Sequence, residues 1–254
     1  MRAIVYAAGI SARMKEHVKD GLKGLTKLGE ESLIQHQLNW ISFYKPKEII
    51  IVIGLQHQRY IDEIGLSYNG VPVRYVYNPD YKTKGNMLSL WHAKDFCDDD
   101  VIFTTSDLLC DKRDIDLFIN NNSSDKILID KYNKELFEVS DPVKVKVEEN
   151  KITKIRKKIN EIDRVDGISI GVYQFSKYLM NRLINCIEKK IDEGDDDLSL
   201  YYPIDEVLHF AEVRPVYTKE SIWLDIDTPE ELTDAKKLLE HGKIKVINNS
   251  YNLY

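Results

Sequence analysis

Cysteine is scarce in this 254-residue chain. Cys97, Cys110 and Cys186 are the only three, and no two of them form a C-x-x-C pair. That spacing excludes a disulfide framework and a thiolate zinc site, and it fits a reducing compartment. Long apolar runs are also missing, and nothing approaches the ~20 apolar residues of a membrane-crossing helix. At the start, one basic residue precedes a five-residue apolar run, which is too short for the hydrophobic region of a secretory signal. The expected location is cytoplasmic, with no membrane partner. There is no basic stripe either. Lys and Arg number 36 against 42 Asp and Glu, for a net charge of −6, and the positive residues are scattered. A nucleic-acid partner is therefore not expected. Any nucleotide bound here is a small one, held by a few placed cations. The six histidines show no metal-ligand spacing, and there is no internal repeat or low-complexity linker.

The chain does contain strand-length apolar runs separated by segments with helical spacing. Residues 3–7 are apolar throughout, as a buried strand requires. Ser32 is placed to cap a helix over Leu33–Phe43. Residues 48–53 and Val71–Tyr77 read as further strands, 86–96 as a helix, and Val101–Thr105 as a strand ending at Ser106-Asp107. This alternation predicts a mostly parallel sheet flanked by helices, with ligands outside the carboxyl ends of its strands. After about residue 125 the pattern changes. Short strands are expected at 126–130, 142–147 and Lys151–Arg156, and a longer one at Gly167–Phe175. A helix over 176–193, a short helix at 204–210 and a last strand at 222–226 complete the pattern. Thr228 then caps a helix to His241, with Pro229 in its first turn and Glu230-Glu231 complementing its dipole. The whole chain reads as one α/β domain. Its core is 1–124 with 213–245, and 125–212 forms a small inserted α+β lobe.

Three constellations carry chemistry. The first is Ala7-Ala8-Gly9-Ile10-Ser11-Ala12-Arg13-Met14, continuing to Lys23-Gly24-Leu25. Small residues after a strand let backbone N–H groups approach an anion, and Arg13 and Lys23 add charge suited to a triphosphate. The second is Asp107, at the end of a strand on the ligand rim, where a carboxylate can bind a divalent cation. The third is Trp223-Leu224-Asp225-Ile226-Asp227-Thr228-Pro229-Glu230-Glu231-Leu232. Alternation along a strand places Asp225 and Asp227 on one face.

Together these segments resemble the sugar-phosphate nucleotidyltransferase superfamily. Its signature loop runs roughly A-A-G-x-G-x-R-(L/M) and then P-K-x-L, and its closing segment is D-I-D-T-P-E-(D/E)-L. Two departures stand out: Ser11 replaces the second glycine, and Leu22 replaces the proline before Lys23. The resemblance implies a Rossmann-like fold of the nucleotide-diphospho-sugar transferase type, with Mg²⁺ held by Asp107 and Asp227 and with Asp225 as a further or alternative ligand. It also implies Arg13 and Lys23 as catalytic cations, and nucleotide contacts from Ala7, Ala8, Gly9, Ile10, Ser11, Gly85, Asn86 and Ser106. The segments Asn78-Pro79-Asp80-Tyr81, Gly85-Asn86-Met87-Leu88-Ser89-Leu90 and Ser32-Leu33-Ile34-Gln35-His36-Gln37 resemble the bacterial phosphocholine cytidylyltransferase branch. Its members use CTP on phosphocholine, aminoethylphosphonate or phosphoglutamine, mainly for surface polysaccharide or capsule decoration.

For Asn86, a nucleotide contact and a helix N-cap weigh equally. On the acceptor side, Tyr173, Tyr201 and Trp223 are candidate walls, and Asp166 and Asp205 are candidate partners for an ammonium. Two other readings compete. One is a sugar-1-phosphate nucleotidyltransferase using another NTP, against which the Asn86 segment argues. The other is a non-catalytic relative, which has no need to keep Arg13, Lys23, Asp107 and Asp227 together. A glycosyltransferase of similar fold is disfavoured because Leu108-Leu109 follow Asp107 where a D-x-D is expected. Oligomeric state is not legible.

Overall fold

The computed structural model describes residues 1–9, 14, 22–54, 56–82, 85–131, 142–195, 199–219 and 222–247. The strands, in chain order, are β1 (Arg2–Ala7), β2 (Lys27–Leu28), β3 (Glu31–Ser32), β4 (Ile49–Ile53), β5 (Ser67–Tyr68), β6 (Val71–Tyr77), β7 (Val101–Thr105), β8 (Leu108–Cys110), β9 (Lys126–Lys131), β10 (Val143–Glu148), β11 (Lys151–Arg156), β12 (Gly167–Phe175), β13 (Arg214–Tyr217) and β14 (Trp223–Asp225). The helices are α1 (Leu33–Phe43), α2 (His57–Ile64), α3 (Met87–His92), α4 (Lys112–Asn120), α5 (Lys177–Asp192), α6 (Tyr201–Val207) and α7 (Pro229–Glu240).

Among the described residues, ten strands share one sheet. Its main path runs β11-β10-β12-β7-β1-β4-β6-β5, with β9 on β12 and β13 on β9. The centre, β7-β1-β4-β6, is parallel. The five residues of β4, all Ile or Val, are buried, because parallel strands are covered by helices on both faces. One face carries Val5, Ile51, Leu38 and Ile41. The other packs Ile4, Ile50, Val52 and Phe103 against Leu90, Leu179 and Leu183. The sheet is thus the mostly parallel, helix-flanked one that the sequence predicts. Segment 126–175 adds its strands to it mainly in antiparallel fashion.

The helix starts follow local chemistry. At α1, Gln35 Oε1 accepts from the Ser32 backbone N–H at 2.8 Å and from its hydroxyl at 2.9 Å. At α7, the Thr228 hydroxyl accepts from Glu231 N–H at 3.2 Å, with Pro229 in the first turn. The helix expected at 204–210 starts earlier, at Tyr201, and ends in a 3₁₀ turn. Pro203 sits in its first turn, where backbone N–H groups have no helical partner to lose. The strand expected at 222–226 is shorter and lies off the main sheet, paired antiparallel to β8. Its Leu224 packs with α7, while Trp223 packs against the core beneath the sheet. Strand β13 and helices α2 and α4 were not foreseen.

Gly54, just past β4, faces the rim of the sheet. A Cβ there would lie 2.9 Å from the Ala8 carbonyl oxygen and 2.6 Å from the Tyr81 ring. Gly54→Ala is expected to cost about 1–3 kcal/mol of stability, read as a lower urea midpoint. An unchanged midpoint would show that Tyr81 can move aside without loss.

Candidate active site

The site begins where β7 ends. Ser106 N–H donates to Tyr6 O at 3.0 Å, so the pairing with β1 continues one residue past the strand before the chain turns at Asp107 into β8. Strand β14 runs back along β8, with Asp225 opposite Leu108. Ile226 N–H then donates to the Asp107 carbonyl at 3.1 Å. This two-stranded ribbon carries residues 225–227 onto the turn at 107. One oxygen each from Asp107, Asp225 and Asp227 falls within 4.8 Å of the others. Strand alternation is not what aligns the last two, because β14 stops at Asp225; the hydrogen bond to Asp107 does. Glu231 fixes the end of the ribbon. Its carboxylate accepts from Asp227 N–H at 2.7 Å and from Thr228 N–H at 2.8 Å. The sequence reading gave Glu231 only a dipole role, although the T-x-x-E spacing is the signal for this clamp.

Lys23 enters from the opposite side, at the start of a 3₁₀ turn over Lys23–Leu25. Its Nζ donates to Asp227 Oδ1 at 2.5 Å and also pairs with Asp107. Burial works against the ammonium, but the carboxylates of Asp107 and Asp227 outweigh it and hold the Lys23 pKa well above the ordinary lysine value. Gly24 is needed here for close approach, since a Cβ would lie 2.8 Å from the Tyr60 hydroxyl and 3.2 Å from Ser106 Oγ. Tyr60 comes from the unforeseen helix α2.

The donor set suits a hard divalent cation, because three carboxylates supply only oxygen. The other Asp107 oxygen, Oδ1, is buried without a hydrogen-bond partner, and a buried anionic oxygen left that way calls for a cation. Asp225 keeps an edge open to solvent. Burial of the rest of its side chain, then the charges of Asp107 and Asp227, push its carboxyl up to about 7. An unfolded aspartate titrates near 4, so between those values the folded, metal-free chain holds the extra proton. The resulting contribution to stability is full below about pH 4 and is lost as pH rises through about 7. Without metal, the parent is expected to lose thermal stability relative to Asp225→Asn between pH 5 and 7.5. A difference that stays flat with pH removes this coupling.

Of the nucleotide-side residues, Ala7 and Ala8 are buried at the end of β1 and Gly9 is exposed beyond them. Ile10, Ser11 and Arg13 lie outside the described residues. Ser106 is buried against Gly24. Gly85 and the exposed Asn86 precede α3. Asn86 occupies the N-cap position, but its side chain makes no capping hydrogen bond. Its Oδ1 accepts instead from Leu200 N–H at 2.8 Å, tying the start of α3 to the start of α6. Of the two readings weighed for Asn86, the side-chain cap is replaced by a contact that only the fold creates.

The MobA-like NTP transferase domain matches residues 3–241 of the chain. The protein belongs to that family. The bifunctional IPC transferase and DIPP synthase of Thermococcus kodakarensis is 26% identical over 244 residues, covering 96% of this chain and 52% of the relative. The choline-phosphate cytidylyltransferase of Streptococcus pneumoniae is 28% identical over 95 residues, covering 37% of this chain and 40% of that protein. The chain spans about half the length of the full-length curated relatives it matches. The inositol-1-phosphate CTP transferase structure from T. maritima superimposes with a TM-score of 0.75 at 19% identity, covering 94% of both chains, and so shares the fold.

In this family member most of the acceptor-side candidates are engaged by other residues of the protein. Tyr173 stacks on Phe103 with ring centroids 4.9 Å apart, and Ser169 Oγ donates to its hydroxyl at 2.9 Å. Trp223 Nε1 donates to Asp130 at 2.8 Å. Asp166 accepts from Val147 N–H and from Arg164, each at 2.9 Å. Asp205 accepts from Ile155 N–H at 2.7 Å and pairs with Arg156 at 2.5 Å. These four use their polar atoms inside the protein. Tyr201 packs on Tyr202 at 4.5 Å. Beside it lies Glu161, which the sequence reading passed over; its Oε2 makes no hydrogen bond but lies 3.8 Å from Arg156 Nε, and its Oε1 lies 3.6 Å from Lys158 Nζ. No helix among the described residues is long and apolar enough to cross a membrane.

Proposed function

We propose that this NTP transferase is a Mg²⁺- and CTP-dependent cytidylyltransferase that moves CMP onto a small phosphorylated acceptor and releases pyrophosphate. The observation that carries the proposal is the meeting of Asp107, Asp225 and Asp227 with Lys23 on the carboxyl rim of the parallel strands. An acceptor phosphate oxygen attacks the α-phosphorus of the nucleotide. The bond to the bridging oxygen breaks, and pyrophosphate leaves with that electron pair. Both reactants are anionic and repel. Mg²⁺ on the three carboxylates supplies, when bound, charge that offsets this repulsion and stabilises the leaving group. Lys23 steadies the transferring phosphoryl group, and Arg13 is its proposed companion on the triphosphate. Ser106 and Gly24 pack together beside Lys23. No general base is assigned, because a phosphate monoester is already a competent nucleophile near neutral pH.

Cytosine is supported by the Gly85–Leu90 segment and by relatives whose names include CMP-5'-(3-aminopropyl)phosphonate synthase and choline-phosphate cytidylyltransferase. For the acceptor, the names of those same relatives favour an ammonium-bearing molecule of the phosphocholine, aminoalkylphosphonate or phosphoglutamine kind. A pyrophosphate-release assay crossing four NTPs with these acceptors, inositol phosphate and sugar phosphates tests both points. The expected result is turnover with CTP and an ammonium-bearing acceptor. Turnover with UTP or dTTP on a sugar phosphate would overturn the proposal.

A further inference from the structure

We infer that Lys23 is the resident counter-ion of the carboxylate site, and that a divalent cation enters only by displacing its ammonium, so that nucleotide and metal binding are coupled through this one side chain. The inference rests on the proposed metal-dependent reaction and goes beyond it. Lys23 Nζ lies between Asp107 and Asp227, within hydrogen-bond reach of both. The oxygens of the three acids lie within 4.8 Å of one another. An ammonium that already bridges two of the three acids repels a second cation brought to them.

The exchange is a side-chain movement. The backbone is held by Leu25 N–H donating to Leu22 O at 3.0 Å and Thr26 N–H to Lys23 O at 2.9 Å. Leu22 is buried, and Gly24 is pressed against Tyr60 and Ser106. The four-carbon stem of Lys23 is left as the pivot. A triphosphate offers the ammonium a new anionic partner, and the carboxylates it leaves then need another cation. Asp107 Oδ1, buried and without a hydrogen-bond partner even with Lys23 in place, shows that one ammonium does not satisfy the cluster. By linkage, a ligand that draws Lys23 away strengthens metal binding, and metal strengthens binding of that ligand by the same factor.

The test is Mn²⁺ binding to the full chain, followed by calorimetry and by the paramagnetic signal of free Mn²⁺, with and without CTP. For nucleotide-free protein, Lys23→Met and Lys23→Gln are each expected to bind Mn²⁺ about tenfold or more tightly than the parent. Mn²⁺ is also expected to raise their thermal midpoints more than the parent's. Equal or weaker nucleotide-free binding by both folded variants overturns the inference. If the parent binds Mn²⁺ in neither the presence nor the absence of CTP, the metal-dependent reading falls as well, and the two failures are told apart. Should one variant not fold, the other decides. If neither folds, an amine-acylating reagent on the parent replaces them: saturating Mn²⁺ without nucleotide is expected to increase labelling of Lys23, and unchanged labelling overturns the displacement.

Discussion

Replacing Asp107 with alanine is expected to lower kcat for pyrophosphate release by roughly 10²- to 10³-fold. This carboxylate belongs to the cluster with Asp225 and Asp227, and its second oxygen is buried with no hydrogen-bond partner. Removing it takes away a ligand and leaves Lys23 with Asp227 as its remaining acidic partner of the pair. Folding should survive, because Asp107 stands in a turn rather than in the packed core. Its removal also relieves repulsion among three crowded acids, so the stability change is expected within ~1 kcal/mol. Asp107→Asn separates charge from shape and should show a similar kinetic loss. Asp227→Ala should behave alike, with the added consequence that the Glu231 clamp no longer orients a ligand. Turnover like the parent's in either alanine variant, at saturating CTP and acceptor, removes that residue from the reaction.

The largest stability effect is expected at Phe103. Its side chain is fully buried in β7. It stacks on Tyr173 at 4.9 Å, meets Phe175 edge-on at 5.3 Å and lies 6.3 Å from Tyr6. Phe103→Ala removes a ring from the seam where the parallel strands meet antiparallel β12. A cost of about 3–5 kcal/mol is expected, a large share of the ~5–15 kcal/mol that holds a domain folded. Phe103→Leu keeps most of the volume and should cost about 1.5 kcal/mol or less. Chemical denaturation of the three proteins measures this. A loss below 1 kcal/mol for the alanine variant would mean that the seam closes over the gap.

What the sequence revealed of this architecture depended on how local each signal was. Val71–Tyr77, Val101–Thr105, Lys151–Arg156 and Gly167–Phe175 were legible to the residue, because each apolar or alternating run is bounded by turn formers or charges. The convergence of Asp107 and Asp227 could be read because both fall in segments whose family resemblance is strong. The ribbon that brings them together was not legible. Strands β8 and β14 have three residues each, too few for a periodic pattern, and their pairing joins positions more than a hundred residues apart. Asn86 shows the same limit. Its partner, Leu200 N–H, is 114 positions away, so neither the local rule for a helix cap nor the family resemblance pointed to it. Among the acceptor candidates, Asp166 and Asp205 read as spare acids until the fold supplied Val147 and Ile155 as their partners. Glu161 has no sequence signature, since only the fold sets it between Arg156 and Tyr201. Helices α2 and α4 were passed over because acids and bases interrupt their apolar faces.

Because Asp107 precedes Asp225 and Asp227 by more than a hundred positions, the three-acid cluster cannot exist on a nascent polypeptide until residue 227 has been synthesised. The ribbon that closes the cluster pairs β14 with β8, far earlier in the sequence. Chains truncated before it can bury much of the sheet yet have one carboxylate of three. Capture of a divalent ion by the three acids would therefore report that the ribbon joining β8 to β14 has formed.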